Sequence, residues 1–243
     1  MKRAAIALAD AFGRNALRRP VYAALLVVPP LMGLLIRPMP LLLGRLFPAF
    51  DFAAWMPLFL AVAAGFPPYL FGLLAALQLL DERDCGLLPA FRVSPMSKNA
   101  LLAAKAVPAA ALAAFGTAAA LLLTGQAASV PPFCIAAAGI IAAPSAVFYA
   151  LVVTGLARTK LQGLTAGKVL GTVLPAPVIW SLAPSPWRWF ALPFPSTWAG
   201  AAMTVSGASA AGTAVFRSAV GMVYVSVLAT LAWILSRRRY FSD

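Results

Sequence analysis

The chain has 243 residues, 63% of them hydrophobic and only 10% charged, with a mean hydropathy of +0.91 and a net charge of +13. A soluble domain is roughly half apolar and about a quarter charged, so too few polar residues exist here to build a water-facing surface, and the composition is that of a membrane protein. The Lys and Arg residues fall in short clusters between apolar runs, which argues against a nucleic-acid partner, and the absence of histidine removes most routes to zinc binding or Ser/Cys-His catalysis.

Residues 1–19 begin with basic residues, but their apolar part is short and interrupted by Asp10 and Arg14, and more arginines follow in place of a small-residue cleavage site. A cleaved signal peptide is therefore not expected. Drawn as a helix, Arg3, Asp10, Arg14 and Arg18 gather on one side and Ile6, Leu8, Phe12 and Leu17 on the other, which predicts an amphipathic helix lying in the membrane interface. A frayed, solvated tail is the alternative.

Crossing a hydrocarbon layer of roughly 30 Å takes about 20 apolar residues. Six such runs follow in chain order, over 20–36, 54–80, 101–124, 133–156, 164–182 and 216–236. Pro29-Pro30 and Pro67-Pro68 are expected to kink or locally unwind the first two. Lys105 and Lys168 sit near the starts of the third and fifth, from where they are expected to snorkel to the interface. Ser145 and Thr154, inside the fourth, are expected to bond to their own helix backbone.

With the N-terminus inside, the cytoplasmic segments hold Lys2, Arg3, Arg14, Arg18, Arg19, Arg83, Arg92, Lys98, Lys105, Arg158, Lys160, Lys168 and Arg237 to Arg239, against only Arg37, Arg45, Arg188 and Arg217 outside. This positive-inside bias predicts that both termini are cytoplasmic. Cys85 and Cys134 then fall near opposite membrane faces, and a disulfide framework is not expected.

Between the fifth and sixth runs, residues 183–213 carry Trp187, Trp189, Phe190, Phe194 and Trp198 among prolines that cut the apolar character into pieces too short to cross. This predicts short interfacial or re-entrant helices on the outer side. An ordinary external loop is the alternative. Alanine-rich stretches such as "AAKAVPAAALAAFGTAAALLLTG" suit close helix packing in a bilayer.

The segment "GLTAGKVL", 163–170, lacks the spacing of a phosphate-binding loop: three residues separate Gly163 from Gly167, and Val169 follows Lys168 where Ser or Thr is required. The chain is therefore not expected to bind ATP. No paired carboxylates, Ser-His pair or metal ligands lie within the runs, which disfavours an intramembrane enzyme, and no Asp or Glu lies there to relay protons.

What remains is "LLDERDCGLLPAFRVSPMSKNALLAAK", 79–105, where Asp81, Glu82 and Asp84 mark the end of the second run and Leu87, Leu88 and Phe91 form a short apolar face. Such a face either docks into a partner or dips into lipid. Ser94-Pro95 turns the chain and Ser97 is placed to cap the next helix.

This segment resembles the cytoplasmic loop of type-2 ABC-transporter permeases, in which a Glu and a Gly open a short amphipathic helix, a Thr/Ser-Pro turn follows, and a Lys lies near the base of the third membrane helix. Glu82, Gly86, Leu88, Ser94, Pro95 and Lys105 match in order and spacing, whereas Leu87 stands in place of the usual Thr and Phe91 in place of the usual Leu. The likeness extends over nearly the whole chain, and within the family it is most similar to small permeases of the fluoroquinolone or multidrug-export type.

The resemblance implies an all-α membrane protein of one transmembrane permease domain, 1–243, in the cytoplasmic membrane. It has six transmembrane helices, the interfacial helix 1–19, a cytoplasmic coupling segment 81–97 between helices 2 and 3, and the outer segment 183–213. It implies no catalytic role and no cofactor bound by this chain. ATP and magnesium would be bound by a separate ATP-hydrolysing subunit in two copies, paired with two permease subunits, either two copies of this chain or this chain and a paralogue. Glu82, Arg83, Gly86, Leu87, Leu88, Phe91, Ser94, Pro95 and Lys105 would couple to the ATPase. The path would run along the dimer interface, lined by runs 1, 2 and 5, with Phe59, Phe66, Tyr69 and Trp180 as candidate lining residues. That wall suits a hydrophobic or amphipathic, drug-like substrate moved outward. A permease for a peptide, antibiotic or lipid, or a non-transporting membrane scaffold, remains the alternative.

Overall fold

The computed structural model describes residues 20–48, 51–86, 98–126, 130–184, 186–201, 203 and 210–240. The expected interfacial helix 1–19 and the part of the coupling segment from 87 to 97 lie outside the described residues. Among those described, every regular element is helical: α1 (Pro20–Ile36), α2 (Met39–Leu46), α3 (Phe52–Asp84), α4 (Lys98–Leu123), α5 (Pro132–Leu156), α6 (Lys160–Gly171), α7 (Ala176–Leu182), a 3-10 turn (Trp187–Ala191), α8 (Pro195–Ala201) and α9 (Ala210–Tyr240).

Four of these helices are long and apolar enough to cross a membrane, over Trp55–Asp84, Asn99–Leu123, Pro132–Leu156 and Gly212–Ser236. The pair α1 and α2, bent by 45° at Arg37-Pro38, makes a fifth if it counts as one span. Large apolar side chains on α1 and α9, among them Val27, Leu31, Leu35, Phe216, Val223 and Leu235, are exposed, as lipid-facing surfaces are. The chain is a multi-pass membrane protein.

The fifth apolar run, expected as one helix over 164–182, is divided. α6 stops at Gly171, residues 172–175 wind in tighter turns, with Val173 N–H bonded to Leu170 O and Leu174 N–H to Gly171 O, and α7 resumes at Ala176. Pro175 supplies no N–H and biases Leu174 away from the helical region, which breaks the run. The twelve residues of α6 extend about 18 Å, too short to cross a hydrocarbon layer alone.

The proline pairs do not unwind their helices. α1 continues through Pro29-Pro30, and α3 through Pro57, Pro67 and Pro68. Pro67 and Pro68 are buried, so neighbouring helices hold the backbone where donors are missing.

α5 occupies the centre and packs against α3, α4 and α9. The approach of α3 to α5 needs Gly72: a β-carbon there would lie 2.6 Å from Ala146 O and 2.8 Å from Tyr149 Cβ. Ser145 and Thr154 donate to Ile141 O and Ala150 O one turn back, satisfying their hydroxyls within α5. Ser236, in contrast, crosses from α9 to donate to Leu151 O at 2.7 Å.

In the outer segment, Trp187, Trp189 and Phe190 of the 3-10 turn are exposed, while α8 is largely buried against α3. Trp198 anchors the two pieces: its Nε1 donates to Leu192 O at 3.0 Å and its ring lies 5.5 Å from that of Tyr224 on α9. Both cysteines are free, Cys85 exposed at the acidic end of α3 and Cys134 buried at the opposite end of the bundle.

Candidate functional site

The acidic end of α3 is where charge concentrates, and the fold gives each acid a separate task. Glu82 Oε1 sits 2.7 Å from Lys105 Nζ, with the side chains only 19% and 5% exposed. Lys105 therefore does not snorkel. It stays buried because a carboxylate from the neighbouring helix neutralises it, which removes the cost of an isolated charge in an apolar surround.

Asp81 and Asp84 face the other way. Lys160 Nζ lies 2.8 Å from Asp81 Oδ1, and the Lys160 backbone N–H donates to Asp84 Oδ2 at 2.8 Å. Thr159 caps the same turn, its hydroxyl accepting from Gln162 N–H. One turn of α3 thus grips the base of α4 through Glu82 and the first turn of α6 through its two aspartates.

Directly beyond this turn, Cys85 N–H bonds to Asp81 O and Gly86 N–H to Arg83 O, and Gly86 adopts φ +69°. This is the left-handed helix terminator that only glycine adopts without strain. Gly86 ends α3, and among the described residues no neighbour would meet a β-carbon placed there. Half-buried Arg83 lies in the last turn of α3. Leu87, Leu88, Phe91, Ser94 and Pro95 fall outside the described residues.

Of the expected path residues, Phe66 and Tyr69 come together, their rings 6.5 Å apart, and Tyr69 meets Tyr149 edge-on at 5.7 Å. Tyr69 also donates its hydroxyl to Gly167 O at 2.8 Å, making it a brace between α3 and α6. Phe59 packs instead against the core cluster around Leu60 and Ile135, and Trp180 pairs with Trp189 of the 3-10 turn at 6.4 Å.

The rejected phosphate-loop segment has a structural role. Gly163, Gly167 and Gly171, spaced by four, turn their bare backbone toward α3, where added β-carbons would strike Leu80, Leu73 and Tyr69 respectively. The i, i+4, i+8 glycine spacing carried this signal in the sequence, as a helix-packing stripe. The role of Lys160 carried none, because its acids lie 76 and 79 residues away.

No curated protein and no solved structure matches the chain. The family model described as fluoroquinolones export permease protein, Rv2686c-like, matches residues 13–233. That span covers nearly the whole chain and includes both the acidic turn of α3 and the α6 glycine stripe, so the chain belongs to the Rv2686c-like fluoroquinolones export permease family.

Proposed function

We propose that this chain is the membrane subunit of an ATP-driven exporter of the ABC type, moving an amphipathic, drug-like molecule of the fluoroquinolone class out across the cytoplasmic membrane. In this reading the chain crosses six times, with the divided α6 and α7 together forming the fifth crossing. Both termini are cytoplasmic. Two permease subunits pair with two separate ATPase subunits, which bind ATP and magnesium.

The single observation that carries the reading is the double grip of the acidic turn. The segment after Gly86, through Leu87, Leu88, Phe91, Ser94 and Pro95, is the docking element for the ATPase. A push on it reaches α3 directly, α4 through Glu82 and Lys105, and α6 through Asp81, Asp84 and Lys160. ATPase closure would therefore move three helices together, as a switch between inward- and outward-facing states requires. The family's name supports the cargo and the direction.

The test is the chain co-expressed with its ATPase and reconstituted in vesicles. Gly86→Ala strains the left-handed cap and meets no neighbour among the described residues, so it should lower drug-stimulated ATP hydrolysis and export together while ATPase folding is retained. Unchanged export and unchanged stimulated hydrolysis would remove the coupling role.

A further inference from the structure

Lys168 differs from Lys105 and Lys160. Lys105 and Lys160 are paired, whereas the Lys168 side chain is exposed and has no ion-pair or hydrogen-bond partner among the described residues. Its depth is fixed by the contacts of α6. Lys160 is level with Asp81 and Asp84, Gly163 with Leu77 and Leu80, Gly167 with Leu73, and Gly171 with Tyr69.

Lys168 is therefore eight residues beyond the charged end of α6, or about 12 Å along its axis. In a hydrocarbon core of roughly 30 Å this approaches the midplane. A lysine side chain spans about 6 Å, so even when it points toward that end its ammonium stays about 6 Å short of the Asp81–Lys160 level. Thr165 and Thr172 flank Lys168 on the same exposed face, but their hydroxyls donate to Leu161 O and Val169 O of their own helix. The ammonium is the unsatisfied group on this face.

No ion pair reaches Lys168 from the described acids of this chain, so its counter-ion comes from outside them. The chain has six acids: Asp81, Glu82 and Asp84 at the charged end, Asp51 just before α3 at the opposite end, and Asp10 and Asp243 in the terminal segments. None lies within an apolar run. We propose that Lys168 binds the anionic group of the transported amphipath, a carboxylate above all, on the face of α6 turned away from α3. This rests on the export reading, and it adds a charge to the aromatic lining expected from Phe59, Phe66, Tyr69 and Trp180. An ammonium in an apolar surround favours a carboxylate over its neutral ester because the charge-assisted bond forms only with the anion.

The probes are a fluorescent quinolone carboxylic acid and its methyl ester, with Lys168→Gln and Lys168→Arg in the full chain. Equilibrium binding to the purified protein in detergent should weaken about tenfold for the acid in Lys168→Gln, remain near wild type in Lys168→Arg, and not change for the ester. The same ranking should appear in export by the complex with its ATPase. If wild type binds the acid through Lys168 but exports neither probe, the export reading fails and this site stands. Equal acid binding by wild type and Lys168→Gln overturns the site. So does loss of co-purifying phosphatidylglycerol, or of a second, acidic permease subunit, in Lys168→Gln with acid binding intact: the counter-ion is then a lipid phosphate or a subunit carboxylate.

Discussion

Glu82 and Lys105 form a buried ion pair 2.7 Å long between the last turn of α3 and the second turn of α4, and the second carboxylate oxygen, Glu82 Oε2, is buried without a hydrogen-bond partner among the described residues. Breaking such a pair from one side strands the other charge. Glu82→Ala should lower stability by about 3 kcal/mol, and the double variant Glu82→Leu with Lys105→Met should recover most of it, since both charges then leave together. Thermal unfolding of the purified chain in detergent gives both values. Equal losses in the single and double variants would deny the pair this role.

Lys160 and Asp81 make the contrasting case. Their side chains are 40% and 25% exposed, so solvent screens them and Lys160→Ala should cost under about 1 kcal/mol, shrinking further at high salt. Asp84→Ala also removes the acceptor of a backbone N–H in the first turn of α6 and should cost about 1 kcal/mol with little salt dependence. Unfolding midpoints at low and high salt separate the two.

The α3–α6 seam can be loosened in two ways. Tyr69→Phe removes the 2.8 Å bond to Gly167 O and should cost about 1 kcal/mol. Gly167→Leu drives a side chain into Leu73 and should cost about 2–3 kcal/mol. If the order were reversed, the hydrogen bond and not the glycine stripe would hold the seam.

Gly72→Ala tests the centre of the bundle. The added methyl meets the Ala146 carbonyl, which is backbone and cannot rotate away, so α3 and α5 must separate, at about 2 kcal/mol. A Gly86→Ala control meets no atom of the described residues and costs only about 1 kcal/mol through its positive φ. Unfolding in detergent should rank the two in that order.

Cys85 and Cys134 report accessibility without introduced cysteines. A membrane-impermeant maleimide should modify exposed Cys85 from one side of sealed vesicles only, and buried Cys134 only after denaturation. Labelling of Cys85 from inside-out vesicles and not from right-side-out ones would place the α3 acidic end in the cytoplasm. The reverse pattern would invert the proposed orientation.

The sequence by itself determined the class of molecule, because hydropathy summed along a run depends only on which residues are adjacent in the chain. The apolar runs, the helical character, the lack of a phosphate loop and the back-bonded hydroxyls of Ser145 and Thr154 are all local properties of this kind. Which charges meet is not local. Lys105 and Lys168 look alike in sequence, each near the start of an apolar run, yet one is buried against Glu82 and the other is exposed and unpaired among the described residues. The difference lies in neighbours: α4 packs its base against the acidic turn of α3, while the stripe Gly163, Gly167 and Gly171 turns the opposite face of α6 toward α3 and leaves Lys168 outward. Helix adjacency and rotation, set by glycine contacts tens of residues apart, decided what each lysine does.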